Sequence, residues 1–206
     1  MKEETKEKIL IAARELFFRH GIKRITMDDL SKHLGMSKKT LYQAYFDKDT
    51  LVVELIEFML SQYKAKFDSI RAGSVDALSE LLGNMEFMGS IFSEINPNFF
   101  YDMQKYYSPS WVKFREFKEN EVVGILERNM KRGIEEGLYR EQIDIKIISR
   151  LRVEEIEMAM NPSVFSPSKY NVREVQLKLL DHFMHGITTI KGHKLINKYK
   201  HINEEE

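Results

Sequence analysis

Residues 26–48 read TMDDLSKHLGMSKKTLYQAYFDK, and the way this stretch punctuates itself decides the fold. Thr26 is a good helix N-cap, because its hydroxyl can take up a free backbone N–H. Asp29, three residues on, completes a capping box. Leu30 and Leu34 fall on one face at i, i+4, and Gly35 suits the left-handed residue that ends such a helix. Ser37 can then cap a second helix over residues 38–43, in which Leu41 alone reads as a core residue. A helix this short is not stable by itself in water. Neighbours must hold it, which leaves Lys38, Lys39, Thr40, Tyr42 and Gln43 on its free face. This pattern predicts a helix-turn-helix, whose second helix enters the DNA major groove.

Working outward, residues 5–20 predict a first helix with Ile9, Ala13, Leu16 and Phe17 on one face, closed by Gly21. That face can pack on Leu30, Leu34 and Leu41 to complete a three-helix head. A fourth helix starts near Asp47-Lys48-Asp49 and continues to about residue 70. Further helices are expected over 75–95, 99–106, 110–136, 144–160 and 171–191. The breaks between them fall at Ala72-Gly73-Ser74, Asn96-Pro97-Asn98, Ser108-Pro109, Gly137, and a loop holding Pro162 and Pro167. The tail HINEEE is expected to fray. No period-two strand pattern persists, so the fold class is all-α, with about nine helices. The division is a DNA-binding head at 1–48 and a larger helical ligand-binding and dimerisation body at 49–206.

The formal net charge is zero, which taken alone argues against a nucleic-acid partner. The distribution argues otherwise. Residues 1–48 hold eleven Lys or Arg against seven Asp or Glu, so a basic head is attached to an acidic body. With no cysteine in the chain, disulfides and thiolate metal sites are excluded. The N-terminus mixes acids and bases and is no signal peptide. No apolar run reaches the roughly 20 residues of a membrane span. A cytoplasmic protein is expected, with no membrane partner.

Residues 9–51, ILIAARELFFRHGIKRITMDDLSKHLGMSKKTLYQAYFDKDTL, resemble the N-terminal domain of the tetracycline-repressor (TetR) family of bacterial regulators. The matching features are the Ala-Ala and Leu-Phe pairs of the first helix, Gly21, Thr26, Leu30, Gly35, Ser37, Thr40-Leu41-Tyr42, Tyr45 and Lys48. About ten positions agree in order without a gap. In the body, residues 133–144 and the long final helix resemble the family in outline. The chain departs from the family pattern at Lys39, where a small residue is usual, at Ala44, where His or Tyr is frequent, and at Tyr45, where Phe is usual. The resemblance implies a dimeric regulator of double-stranded operator DNA. Thr26, Tyr42 and Lys48 would touch phosphates, while Lys38, Lys39, Thr40 and Gln43 would face the groove, and Ser37 completes the set of DNA-binding candidates. Gln43 suits adenine and a lysine suits guanine. Outside such a motif the lysines would read as a solvated face and Thr26 as a cap only.

The body is rich in soft and aromatic side chains. By resemblance, Phe58, Met59, Tyr63, Met85, Met88, Phe92, Phe100, Met103, Tyr107, Trp111 and Phe114 are candidates for the wall of a largely apolar pocket for a small-molecule effector. Many such residues in any bundle are simply core. Ile148, Leu151, Ile156, Phe183, Ile187 and Ile190 are candidates for a homodimer surface. His182, His185 and His193 cluster in sequence, but no acids complete a metal set. No cofactor is expected, and no catalytic signature, so the chain is not read as an enzyme. A competing reading keeps the DNA-binding head but gives the body no small molecule, only dimerisation or a protein partner.

Overall fold

The computed structural model describes residues 3–200 except the prolines at 97, 162 and 167. The expected breaks at those prolines and the tail after residue 200 lie outside the described residues. The fold is all-α, as the periodicity predicts. Its helices are α1 (Glu3–His20), α2 (Met27–His33), α3 (Lys38–Ala44), α4 (Lys48–Gly73), α5 (Ala77–Glu94), α6 (Asn98–Tyr106), α7 (Ser108–Phe117), α8 (Val123–Glu135), α9 (Ile145–Met160), α10 (Val172–Ile187) and α11 (Ile190–Lys200). A π-helical turn, Lys118–Val122, joins α7 to α8.

The helix count exceeds the expected nine for two reasons. The long helix expected over 110–136 contains the π turn, a wider i→i+5 winding that a periodicity argument does not see. The helix expected over 171–191 stops at Ile187. Thr188 takes extended backbone angles and forms an isolated antiparallel bridge with Tyr139. The chain then resumes as α11. The break is set by a partner 49 positions away in sequence, so no local signal marks it.

The chain packs as two compact units, Met1–Lys64 with Glu94–Phe117 and Ala65–Ser93 with Lys118–Glu206. In the first, most of the expected face of α1 is buried: Ile9, Ala13 and Phe17 are at most 1 % exposed, while Leu16 is half-buried. They share the interior with Leu30, Leu41, Tyr45, Leu51, Leu55 and Met103. Each fully buried side chain of this size contributes about 1.5–3 kcal/mol, which is how a seven-residue α3 survives. The same unit brings α6 onto α1. Phe18 meets Phe99 edge-on at 5.1 Å, and Asn96 N–H donates to the Phe18 carbonyl at 2.6 Å. The second unit has its own core, built from Leu78, Leu81, Met85, Leu126, Met130, Tyr139, Val153, Leu180, Phe183, Met184 and Ile196 among others.

Candidate nucleic-acid interface

The capping box is present in full. Asp29 N–H donates to Thr26 Oγ1 at 3.1 Å, and Asp29 Oδ2 accepts from Thr26 N–H at 2.9 Å and from the Thr26 hydroxyl at 2.6 Å. Those bonds, first the hydroxyl and then the backbone N–H, hold the Asp29 carboxyl below its usual range. The Thr26 proton is therefore committed to Asp29, and it reaches a phosphate only by turning away from that carboxylate.

Between the helices, Gly35 has φ +60°, a conformation that costs a side-chain-bearing residue roughly 1 kcal/mol or more. There the chain reverses. Met36 N–H returns to the Ser31 carbonyl at 2.9 Å and Gly35 N–H to that of Lys32 at 3.1 Å. Ser37 then caps α3, its Oγ accepting from Thr40 N–H at 3.1 Å and lying 2.8 Å from Thr40 Oγ1.

Within α3 only Leu41 is buried. At 3.6 residues per turn, Lys38, Tyr42, Lys39 and Gln43 spread over an arc of about 140° away from it. All four are exposed, and Tyr42 shows 48 % of its surface. Lys38 pairs with the Asp28 carboxylate of α2, while Lys39 carries no hydrogen bond or ion pair among the described residues. The face thus holds a cation without a protein partner, a cation with an exchangeable one, an amide and a phenol. A helix of this make-up can supply phosphate contacts from its charges and hydroxyls, and base contacts from Gln43 and a lysine. Tyr45, which follows the helix, is wholly buried and anchors it.

Lys48 behaves differently. Its ammonium points into the unit and donates to the Ile22 carbonyl at 2.6 Å. The rings of Phe17 and Tyr107 lie 5.6 and 5.5 Å away. Burial lowers its pKa, against the raising influence of Asp102, Asp49 and Asp29.

The eleven candidate pocket residues fall in both units. In the first, Met59, Met103 and Tyr107 are buried while Phe58, Tyr63, Phe100, Trp111 and Phe114 are half-buried. Trp111 stacks on Phe114 at 5.6 Å, and Phe114 meets Phe100 at 5.4 Å. Burial pushes the Tyr63 and Tyr107 phenols up to about 12. In the second unit Met85 is buried, and Met88 and Phe92 are half-buried. Met85 Sδ lies 3.1 Å from a guanidinium nitrogen of Arg152, itself 1 % exposed. Of the dimer candidates, Phe183 and Ile187 are buried in this unit's core, Ile148 packs against it, and Ile156 is half-buried. Leu151 and Ile190 are exposed at 49 % and 80 %.

Two features escaped the sequence. One is a polar cleft of about 430 Å³ lined by His20, Lys23, Arg24, Asn96, Asn98 and Asp102. The other is the burial of Asp102 itself, 6 % exposed. An acid within an aromatic run was the available signal, but its partner lies 79 positions away. His185 and His193 meet edge-on at 5.0 Å. Among the described residues no group of three or more His, Cys, Asp or Glu could hold a metal ion, and no helix is long and apolar enough to cross a membrane.

Residues 9–55 match the family described as bacterial regulatory proteins, tetR family. Over 164 residues the chain is 23 % identical to the uncharacterized HTH-type transcriptional regulator YvaF of Bacillus subtilis, covering 79 % of this chain and 85 % of that protein. Over 182 residues it is 26 % identical to the nucleoid occlusion factor SlmA of Vibrio atlanticus, covering 84 % and 90 %. Its fold resembles that of SmeT in a complex with triclosan, with a TM-score of 0.70, 17 % identity and coverage of 91 % and 93 %.

Proposed function

Given that this chain is a DNA-binding transcriptional regulator of the TetR family, we propose that it works as a cytoplasmic homodimer on double-stranded operator DNA. In this reading it is a repressor, released by a small, largely apolar ligand bound in the helical body. The observation that carries the reading is α3, a helix with one buried residue and a face of Lys38, Lys39, Tyr42 and Gln43. Such a face has no packing role. Dimerisation is supported by the exposed apolar side chains Ile147, Leu151 and Met158 along α9 and Leu177 on α10, since an uncovered stripe of this kind marks an association surface. Ligand binding is supported by the run of half-buried rings at Phe100, Phe114 and Trp111 and by the triclosan complex of SmeT, which has the same fold. Release follows by population shift. A ligand that prefers the conformation unable to bind DNA lowers operator affinity by its differential binding free energy, and by no more.

The relative named as a nucleoid occlusion factor favours a second reading, in which the head binds DNA and the body dimerises or meets a protein partner without a small molecule. Selecting bound fragments from the source genome and measuring affinity against salt tests the shared part. Gln43→Ala should relax sequence preference, while Lys39→Ala should flatten the salt dependence. Identical behaviour of the two variants, or no sequence preference in the unmodified protein, would sink it. A thermal-shift screen of apolar compounds separates the two readings, because a true ligand stabilises by mass action.

A further inference from the structure

His20, Lys23 and Arg24 form a group of basic side chains without an ion pair. Other cations of the same unit have acid partners: Lys6 with Glu54, Arg14 with Glu94, Lys38 with Asp28 and Lys113 with Glu57. Among the described residues, the side chains of His20 and Arg24 make no hydrogen bond or ion pair. Lys23 Nζ donates only to a neutral group, the Tyr106 hydroxyl at 2.9 Å. These three side chains line the cleft of about 430 Å³ whose remaining walls are Asn96, Asn98 and Asp102. All six residues belong to the first compact unit.

The sequence brings them together through one glycine. Gly21 has φ +82°, which turns the chain as α1 ends, so that His20 in the last helical turn and Lys23 and Arg24 beyond it border one space. Asn98 and Asp102 stand at i, i+4 on α6 and so share a face. Asn96 is already engaged, its Nδ2 on Arg19 O at 3.2 Å and its Oδ1 accepting from Asn98 N–H at 2.9 Å. The Asn98 amide has no partner among the described residues. Asp102 Oδ2 accepts from Lys23 N–H at 2.8 Å, while its other oxygen makes no hydrogen bond among the described residues.

The donor set selects the ligand chemistry. A planar guanidinium and an ammonium on adjacent residues, with an imidazole beside them, present charged donors from several directions. A phosphate group has oxygens to meet all of them, whereas a carboxylate is satisfied by the guanidinium fork alone. The volume lies within the range of small-molecule sites, about 300–1,000 Å³, and leaves room beyond a single phosphate. The carboxylate of Asp102 repels a second anionic group, so the rest of the ligand is uncharged there. We propose that this cleft is a binding site for a small phosphate-bearing molecule, its phosphate held by Arg24 and Lys23. The site shares no residue with the aromatic and methionine side chains considered for the apolar ligand, and it depends on neither that reading nor the reading of α3.

Titration calorimetry of the full-length protein at constant ionic strength tests it, with inorganic phosphate, ribose 5-phosphate and ribose as probes. At least one of the two phosphates should bind saturably, one per chain, with a Kd of about 1 mM or tighter, and ribose should not. Arg24→Gln and Lys23→Gln should each weaken phosphate binding about tenfold or more, the loss of a hydrogen bond between charged groups. Lys146→Gln removes the same charge from an exposed position on α9, in the other unit, and should leave binding unchanged. The three substituted side chains are exposed, so the fold should tolerate the changes, and circular dichroism melts check this. No saturable phosphate binding below about 10 mM, equal losses in Arg24→Gln and Lys146→Gln, or ribose binding as tightly as ribose 5-phosphate would each overturn the site. Anisotropy with a selected operator fragment across a salt series covers the remaining source of phosphate. A slope shallower by about 0.9 for Arg24→Gln, the loss of one neutralised DNA phosphate, assigns Arg24 to the duplex and overturns the small-molecule site, whereas an unchanged slope supports it.

Discussion

Two corners of this molecule turn the chain between helices by different means. The corner between α2 and α3 is held by bonds three to five residues long in sequence, Lys32 with Gly35, Ser31 with Met36 and Ser37 with Thr40, and the start of α2 by an equally local one, Thr26 with Asp29. The corner between α8 and α9 has local bonds too, such as Gly137 N–H to Ile134 O and Leu138 N–H to Gly133 O, but it is also held by distant segments. Glu136 Oε2 accepts from Ala77 N–H at 2.8 Å, Asn129 Nδ2 donates to Ala77 O at 2.8 Å, and the Tyr139 hydroxyl donates to Asn129 Oδ1 at 3.1 Å. On its other side, Arg140 N–H reaches Ile187 O and Thr189 N–H reaches Leu138 O, both at 2.9 Å. A corner held locally can be altered without disturbing the rest. A corner held by distant segments is a junction, and damage there spreads through every segment it joins.

Gly133→Ala is the strongest way to break that comparison. Tyr139 packs so closely that a Cβ at 133 would lie 2.1 Å from its ring, so ring or helix must move. Overpacking of this kind costs about 3 kcal/mol, or roughly 6–12 °C of melting temperature for a chain of this size. A melt within about 2 °C of the unmodified protein would show that the junction yields easily. Tyr139→Phe is milder. It leaves a buried Asn129 oxygen without its donor and should cost about 1–2 kcal/mol in denaturant unfolding; no measurable loss would place water or another donor there.

At the locally held start of α2, Thr26→Ala should remove about 1 kcal/mol of stability, the usual value of a cap. Combined with Tyr139→Phe the losses should add, since the two sites share no partner; a coupling well above about 0.5 kcal/mol would join what the hydrogen bonds separate. Thr26→Ala also carries a pH signature. Asp29 titrates below its ordinary 3.8 because Thr26 donates to it. Its folded pKa is depressed, so its contribution is present above that ordinary value and is lost as pH falls through the depressed one. Stability measured across the acid limb should show that feature reduced in the variant, which keeps the backbone N–H bond but loses the hydroxyl bond, and an unchanged limb would exclude the hydroxyl bond as its source.

The contrast also sorts what could be seen in advance. Thr26, Asp29, Gly35, Ser37 and the lone buried Leu41 announce α2 and α3 because their bonds are between near neighbours in sequence. The break at Thr188 has no local signal, because its partners, Leu138, Tyr139 and Arg140, lie about fifty positions away. The π turn at Lys118–Val122 likewise interrupts a pattern that reads as one continuous helix. Phe183 and Ile187 show an apolar helix face in sequence, yet that face alone does not distinguish a core within one chain from a surface between two.

What the sequence determined by itself is the helical class, the head and the residues on the free face of α3, since caps, turns and helical period are short-range effects. What only the tertiary structure decided is which charges turn inward. Lys48 and Asp102 are 54 positions apart, and neither has a local reason to be buried. They come together at the Ile22–Lys23 peptide, whose carbonyl accepts from Lys48 and whose N–H donates to Asp102, because the tertiary fold brings α4 and α6 to the turn after α1.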